Sequence, residues 1–282
     1  MTSVAVITVA HGRHAHLCAQ DDSLALSTRR PDERVLVAMD DPEVLAWTSS
    51  APPSPRTVSV PRRPDGLPLA AARNAGAAAA IDAGAEVLVF LDVDCLVSPG
   101  LVEDYADAVA AEPGTLWCGP VTYLPPAPAG GYPVGDLGPW DSPHPARPAP
   151  APGERLAGGD PDLFWSLSFA VHRETWRLVG GFHEEYAGYG GEDTDFAQCA
   201  AAAGVGLGWT GGARAFHQHH RVQQPPVGHL DDILRNGRLF RRRWGRWPMT
   251  GWLEQFEERG LVERVGDDWV RADSPQRHPD RV

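Results

Sequence analysis

The stretch Val87-Leu-Val-Phe-Leu-Asp-Val-Asp-Cys-Leu96 decides the fold of this chain. Its five consecutive apolar residues are typical of a strand that is buried on both faces of a parallel sheet. The run ends in two carboxylates, Asp92 and Asp94, one residue apart. Ligands bind beyond the carboxyl ends of such strands, and paired carboxylates suit a divalent cation that bridges phosphates. A turn that is simply acidic is the alternative interpretation at this point.

The composition indicates a globular protein without a nucleic-acid-binding surface. The chain has 282 residues, of which 43% are hydrophobic, and a formal net charge of −12. Its four cysteines are far apart and form no CxxC pair, which argues against a disulfide framework and a zinc ribbon. The N-terminal residues predict a strand and not a signal peptide, and no apolar run approaches the ~20 residues of a membrane span. We therefore expect a cytoplasmic protein, either free or peripheral at the inner face of the membrane.

The first hundred residues alternate apolar strands with segments long enough for helices. Strands are predicted at 4–10, 34–39, 57–60 and 87–96, with helices at 14–27, 69–83 and 101–111. This alternation predicts an α/β fold with a mostly parallel, doubly wound sheet.

The second half begins with an interruption, a Pro/Gly/Ala-rich segment at 125–152. A loop of this length is functional or mobile, for example a lid, or is a surface excursion. Strands at 166–171 and 207–216 then alternate with helices at 173–179 and 192–203, and another helix is predicted near 251–259. We divide the chain into a domain at 1–228, with its Pro-rich loop at 125–160, and a helical C-terminal extension at 229–282.

Two further groups of polar residues are candidates for chemistry. Glu192 and Asp193 begin a predicted helix after a glycine-rich turn, and His217 ends the last predicted strand of the domain. Carboxylates at a helix N-terminus also cap free N–H groups, so a structural role is the alternative for Glu192. The glycines favour a ligand site because they let the backbone approach a ligand closely. A histidine ligand would favour Mn²⁺ over Mg²⁺.

Together these motifs resemble those of the GT-A nucleotide-sugar glycosyltransferases of the broad family 2 group. The second half is similar to the C-terminal domain shared by the β-1,4-galactosyltransferases and the polypeptide N-acetylgalactosaminyltransferases. The resemblance implies a GT-A, Rossmann-like fold, with a nucleotide-binding half at 1–124 and an acceptor and catalytic half at 161–228. It rests, in the family's order, on Ala72-Arg-Asn-Ala-Gly76, the Asp-Val-Asp motif, Gly180-Gly-Phe-His-Glu-Glu185, Gly188-Tyr-Gly-Gly-Glu-Asp-Thr-Asp195 and a strand-end histidine.

The resemblance implies a metal site at the donor's diphosphate. Asp94 is expected to bind the metal directly, Asp92 to reach the metal or the ribose, and His217 to be the third ligand. His219 and His220 are rivals of His217 for that place. The implied cofactor is Mn²⁺ or Mg²⁺.

The resemblance also implies roles for residues outside the metal site. Asp193 matches the general base of inverting members, and Glu192 beside it would bind the donor or acceptor sugar. Four residues are expected at the donor nucleotide: Ala10 and Arg13 after the first strand, Asp40 at the base, and Arg73 near the pyrophosphate. A surface arginine is the alternative for Arg13, and a turn residue is the alternative for Asp40.

The implied activity is metal-dependent transfer of a sugar, with inversion. The donor would be a nucleotide-diphosphate sugar such as UDP-Gal, UDP-GalNAc, UDP-GlcNAc or UDP-Glc, and the acceptor a glycan, a metabolite or a peptide. Two other hypotheses are a non-catalytic nucleotide-sugar-binding protein and a sugar nucleotidyltransferase. The second expects a glycine-rich basic loop after the first strand, whereas Ala10-His-Gly-Arg-His14 holds one glycine.

The cluster Arg241-Arg-Arg-Trp-Gly-Arg-Trp247 is a basic feature of an acidic chain. It is suited to an acidic acceptor, a pyrophosphate or a peripheral membrane contact. The alternative is that its arginines pair with the protein's own carboxylates and its tryptophans close a core.

Overall fold

A computed structural model describes residues 2–49, 51–221 and 223–272. The chain divides into two compact units. Of the described residues, unit 1 contains those up to Gly188 together with Glu192–His220, and unit 2 contains Tyr189–Gly191 and those from Arg221 onward. Among the described residues, no helix is both long enough and apolar enough to cross a membrane.

Unit 1 is a layered α/β structure. Its helices are α1 His14–Ala25, α2 Pro42–Leu45, α3 Leu69–Asp82, α4 Leu101–Ala111, α5 Arg173–Val179 and α6 Glu192–Ala202. Its strands are β1 Val4–Ala10, β2 Glu33–Met39, β3 Arg56–Val60, β4 Val87–Asp92, β5 Cys95–Val97, β6 Thr115–Cys118, β7 Val121–Tyr123, β8 Arg155–Ala157, β9 Ser168–His172, β10 Gly206–Thr210 and β11 Ala215–His217.

Eight of these strands form the main sheet, in the order β3-β2-β1-β4-β9-β6-β10-β8. The first four are mutually parallel, β9 runs antiparallel to both its neighbours, and β10 is parallel to β6. β1 is buried along its whole length, as expected for a strand covered on both faces. The predicted α/β, mostly parallel sheet is confirmed.

The first-half motif Ala72-Arg-Asn-Ala-Gly76 lies on α3, which packs closely on β1 and β2. A Cβ atom at Gly76 would lie 2.5 Å from Ile7 Cγ2 and 3.0 Å from Val37 Cγ2, so only glycine allows this approach. The packing fixes the helix turn that carries Arg73 and Asn74. The glycine of the motif is therefore explained by packing and the polar residues by the site below.

The strand predicted at 207–216 is two strands that belong to different sheets. β10 lies in the main sheet, whereas β11 pairs with β5 and β7 in a second, three-stranded sheet. The chain crosses between them at Gly211-Gly212, where a Cβ at Gly211 would overlap the carbonyl of Ala151. The predicted strand at 87–96 divides in the same way between β4 and β5.

The Pro-rich segment packs against the rest of unit 1. The backbone N–H of His144 donates to Val121 O at 2.8 Å, and Arg214 Nη1 lies 2.5 Å from Asp141 Oδ2. The buried guanidinium of Arg147 lies between two tryptophan rings, 4.7 Å from the centre of Trp165 and 4.6 Å from that of Trp209. The packing of the Pro-rich segment against the sheet could not be predicted from local sequence patterns, because it depends on partners that are distant in the chain.

Unit 2 contains α7 Leu230–Trp244, α8 Thr250–Glu258 and a hairpin of β12 Val262–Val265 and β13 Asp268–Arg271. Its core includes Ile233, Leu253 and Trp269. The amide of Asn236 donates to the carbonyl oxygens of Tyr189 and Gly190 at 3.3 and 2.9 Å. The extension predicted as helical thus also contains a hairpin, and residues 273–282 of that prediction lie outside the described part.

Candidate active site

The small sheet brings Asp94 and His217 together. Asp94 directly precedes β5, and His217 ends β11 opposite Cys95 of β5. The next residue, Gln218, donates its backbone N–H to Asp94 O at 2.7 Å and its side-chain amide to His16 O at 3.1 Å. The carboxylate and the strand-end histidine are therefore held side by side by backbone pairing.

A second histidine joins them. His217 Nε2 lies 3.4 Å from Asp94 Oδ1, and His220 Nε2 lies 3.5 Å from Asp94 Oδ2. One ligand atom from each of the three residues lies within 4.8 Å of the others. Two atoms bound about 2.1 Å from one ion lie roughly 3.0–3.4 Å apart, so the two contacts of Asp94 are close to the spacing that a shared dication requires. The donor set of one carboxylate and two imidazoles suits Mn²⁺ better than Mg²⁺.

Arg13 also reaches this cluster. Its Nη1 lies 3.3 Å from Asp94 Oδ2, and its backbone is left-handed, with φ +56°. His219, by contrast, is exposed to solvent. The structure therefore brings Arg13, His217 and His220 to Asp94 and leaves His219 outside the group.

Arg73 joins the acidic edge of β4 to the acidic start of α6. Its Nη2 donates to Asp92 Oδ1 at 3.0 Å, and its Nη1 donates to Glu192 Oε1 at 3.2 Å. Its guanidinium also lies 5.2 Å from the centre of the Phe182 ring. Asp92, which the resemblance assigned to the metal or the ribose, thus faces Arg73 in this structure.

Burial perturbs the acids around Arg73. Burial, reinforced by the Asp193 carboxylate and opposed by Arg73, raises the pKa of Glu192 to about 7. Burial also raises the pKa of Asp193, against the effect of the Thr194 backbone N–H, which donates to Asp193 Oδ1 at 2.8 Å. Burial lowers the pKa of Arg73, but the charges of Asp92 and Glu192 raise it overall. Two adjacent carboxyl groups that hold protons unusually tightly are suited to acid–base chemistry.

Replacing Arg73 with Ala is expected to lower the free energy of unfolding by about 3 kcal/mol, because it leaves two carboxylates without their cation. Glu192 is nearly buried, whereas the Asp92 side chain is 32% exposed and keeps part of its hydration. Arg177→Ala, which removes an exposed pair with Glu174, is the control and should cost at most about 0.5 kcal/mol. Urea unfolding measures both, and equal losses would contradict the assigned role of Arg73.

Two supporting residues were not identified as site residues from the sequence. The amide of Asn74 donates to Phe182 O at 2.9 Å and accepts from Phe182 N at 2.8 Å, which ties α3 to the Gly-Gly-Phe loop. Buried Gln20 donates to Asp92 O at 2.7 Å and to Cys95 O at 3.0 Å, and accepts from Thr8 Oγ1 at 2.9 Å. Asn74 lies inside a motif that could have signalled it, whereas Gln20 had no sequence signal.

The remaining residues that were predicted to bind the donor nucleotide lie at the ends of β1 and β2. Ala10 is buried at the end of β1, and Asp40 is exposed after β2 with a left-handed backbone of φ +52°. Its neighbour Asp41 accepts from Gly12 N at 2.6 Å and contacts His14 Nε2 at 3.1 Å. Asp41 therefore anchors the loop after β1, while Asp40 is the carboxylate that faces solvent.

Comparisons with known proteins agree with this architecture. Residues 162–228, which include α6, His217 and His220, match the family described as the N-terminal domain of galactosyltransferase. Comparison with curated protein sequences gives no match.

Two solved structures are similar in fold. A crystal structure of GalNAc-T7 with UDP, GalNAc and Mn²⁺ has a TM-score of 0.52 and 16% identity, over 78% of this chain and 44% of that one. A crystal structure of S. aureus TarS, residues 1–349, has a TM-score of 0.56 and 11% identity, over 85% of this chain and 64% of that one. The chain thus matches less than two thirds of the length of either structure. It has the GT-A fold of these glycosyltransferases, and its residues 162–228 are similar to the galactosyltransferase domain that the family model describes.

Proposed function

We propose that this protein is a metal-dependent glycosyltransferase that moves a sugar from a nucleotide-diphosphate sugar to an acceptor hydroxyl, with inversion at the anomeric carbon. The observation that carries the proposal is the placement of Arg73 between Asp92, beside the Asp94 cluster, and Glu192 at the start of α6. One guanidinium links an edge suited to a donor diphosphate with a pair of carboxyl groups suited to proton transfer.

Asp94, His217 and His220 would hold the dication at the donor. When bound, the dication neutralises the negative charge that grows on the leaving diphosphate, as a Lewis acid. Arg13, now 3.3 Å from Asp94 Oδ2, would release that carboxylate and contact a phosphate oxygen. The GalNAc-T7 structure contains UDP and Mn²⁺, which supports a UDP-sugar as donor and Mn²⁺ as the metal. The four UDP-sugars expected from the resemblance are the proposed donors.

Asp193 would be the general base. Its side chain is partly exposed at the start of α6, so an acceptor hydroxyl can reach it. As the acceptor oxygen bonds to the anomeric carbon and the bond to the diphosphate breaks, Asp193 takes the hydroxyl proton. Glu192, held by Arg73, would accept a hydrogen bond from a sugar hydroxyl.

The transfer rate is expected to rise with pH and then to level off, because Asp193, whose pKa is raised by burial, is protonated in acid and cannot act as a base. Glu192→Gln should move this rise to lower pH, since it removes one of two neighbouring carboxyl groups. Glu192 also makes the stability depend on pH. As the pH rises from 4.5, the ordinary glutamate pKa, to about 7, the free energy of unfolding should fall, because the folded state binds the Glu192 proton more tightly than the unfolded state does. A pH profile of kcat/KM that shows no decrease in acid would contradict the assignment of Asp193 as the base.

Release of UDP from a panel of UDP-sugars, with Mn²⁺ and with chelator, tests the proposed function. Slow Mn²⁺-dependent hydrolysis of one donor, without acceptor, is the expected result. A non-catalytic binder would be stabilised by a donor without cleaving it. A nucleotidyltransferase would instead form pyrophosphate from a sugar phosphate and a nucleoside triphosphate.

A further inference from the structure

Unit 2 carries a dense group of arginines on one helix and the turn after it. Residues 233–253 contain six arginines and no aspartate or glutamate, in a chain with a net charge of −12. We call this group the arginine patch; it consists of Arg235, Arg238, Arg241, Arg242, Arg243 and Arg246.

The helix α7 separates the patch from an apolar side. Ile233, Leu234 and Phe240 are buried in unit 2, whereas the arginines are partly or fully exposed. An open groove of about 370 Å³ lies on the basic side, lined by Arg238, Arg241, Arg242 and Asp268. The patch is therefore a broad surface and not an enclosed pocket.

Carboxylates of unit 2 lie near several arginines of the patch. Arg238 Nε lies 3.4 Å from Asp268 Oδ2, and Arg241 Nη2 lies 3.8 Å from Asp267 Oδ2, an aspartate whose side chain is 93% exposed. Interactions of an arginine with a helix C-terminus are weak and are confined to the last turn. Weak pairing with an exposed carboxylate leaves a guanidinium able to exchange partners with an anion from outside.

The exposed end of the patch combines arginine with aromatic rings. Arg243 lies 6.0 Å from the centre of the Trp244 ring, and Arg246 lies 5.3 Å from that of Phe240. Trp244 is partly exposed beside Arg242 and Arg243. An amphipathic tryptophan flanked by exposed arginines is typical of a surface that rests in the headgroup region of a bilayer.

We propose that the arginine patch binds the protein peripherally to an anionic lipid surface. The negative potential of such a surface attracts arginines, and guanidinium groups pair with phosphate through two hydrogen bonds. A chain with net negative charge would approach an anionic bilayer only through a basic face. This attachment is independent of the proposed sugar transfer.

Co-sedimentation of the full chain with vesicles tests the proposal. Binding is expected to vesicles of equal parts phosphatidylglycerol and phosphatidylcholine. No binding is expected to phosphatidylcholine alone, or to the anionic vesicles at about 0.5 M salt. In a triple variant, Arg242→Ser with Arg243→Ser and Arg246→Ser, the fraction of protein bound to the anionic vesicles should be at least about fivefold lower than in the wild-type protein. The matched control changes three exposed arginines of unit 1 to serine and has the same net charge: Arg56, Arg62 and Arg177.

The same positions changed to lysine should keep most of the binding, which separates loss of charge from loss of folding. Failure of the wild-type chain to bind the anionic vesicles would overturn the proposal. So would equal losses in the patch variant and its control. Competition by soluble polyphosphate at an equal phosphate concentration that removes all vesicle binding would also overturn it, and would assign the patch to free polyanions.

Discussion

Asp193→Asn is expected to lower the rate of sugar transfer by about 10²–10⁴-fold while donor affinity stays within about twofold of wild type. Asparagine keeps the size of the side chain and its oxygen can still accept the Thr194 N–H, which is 2.8 Å from Asp193 Oδ1. The amide cannot take a proton from the acceptor hydroxyl. Donor affinity comes from titration calorimetry, and transfer is measured as UDP release with acceptor.

Asp162→Asn is the control. Asp162 lies in an exposed position, and its carboxylate accepts a hydrogen bond at 2.8 Å from Gln198 of α6, the helix that also carries Asp193. It should keep both donor affinity and transfer. Parallel loss of donor affinity and transfer in Asp193→Asn would assign Asp193 to donor binding. Full retention of transfer would move the base to another residue.

Asp94→Ala is expected to remove the metal dependence of donor binding. Asp94 lies against both His217 and His220, so its loss leaves the two imidazoles of this group without their carboxylate. Binding of Mn²⁺ should weaken by at least about tenfold, since the variant loses one of three ligand side chains together with its negative charge. Paramagnetic resonance of free Mn²⁺ measures this without donor or acceptor.

The control for Asp94→Ala is Asp22→Ala, an exposed carboxylate on α1. It removes the same charge and should leave Mn²⁺ affinity unchanged. Unchanged Mn²⁺ affinity in Asp94→Ala would refute the metal assignment, whereas equal weakening in both variants would reduce it to a general charge effect.

Local sequence patterns were sufficient to predict the bounds of helices and strands that keep the same packing environment along their whole length. The bounds of β1, α4 and α5 were predicted as the structure has them, because apolar runs or periods end at polar or glycine residues. The strand at 207–216 failed because apolar continuity does not reveal a change of sheet. That change depends on Gly211 meeting Ala151, sixty positions earlier, which no local pattern contains.

The site was predictable where a motif names a residue and less so where geometry selects among neighbours. Asp94 and His217 were named from the sequence, and the structure brings them together. The choice between His219 and His220 needed the path of the backbone after β11. The double contact of Arg73 also could not be foreseen, because Asp92 and Glu192 are a hundred residues apart and meet only through α3 packing.

Titration calorimetry of UDP with the wild-type protein, in Mn²⁺ and in chelator, tests the central claim most directly. The proposed site predicts UDP binding that is at least about tenfold tighter with Mn²⁺, because Asp94 and the histidines would hold a dication that offsets the charge of the diphosphate. Equal affinity in both conditions, or no UDP binding in either, would contradict a metal-dependent donor site at the end of β4.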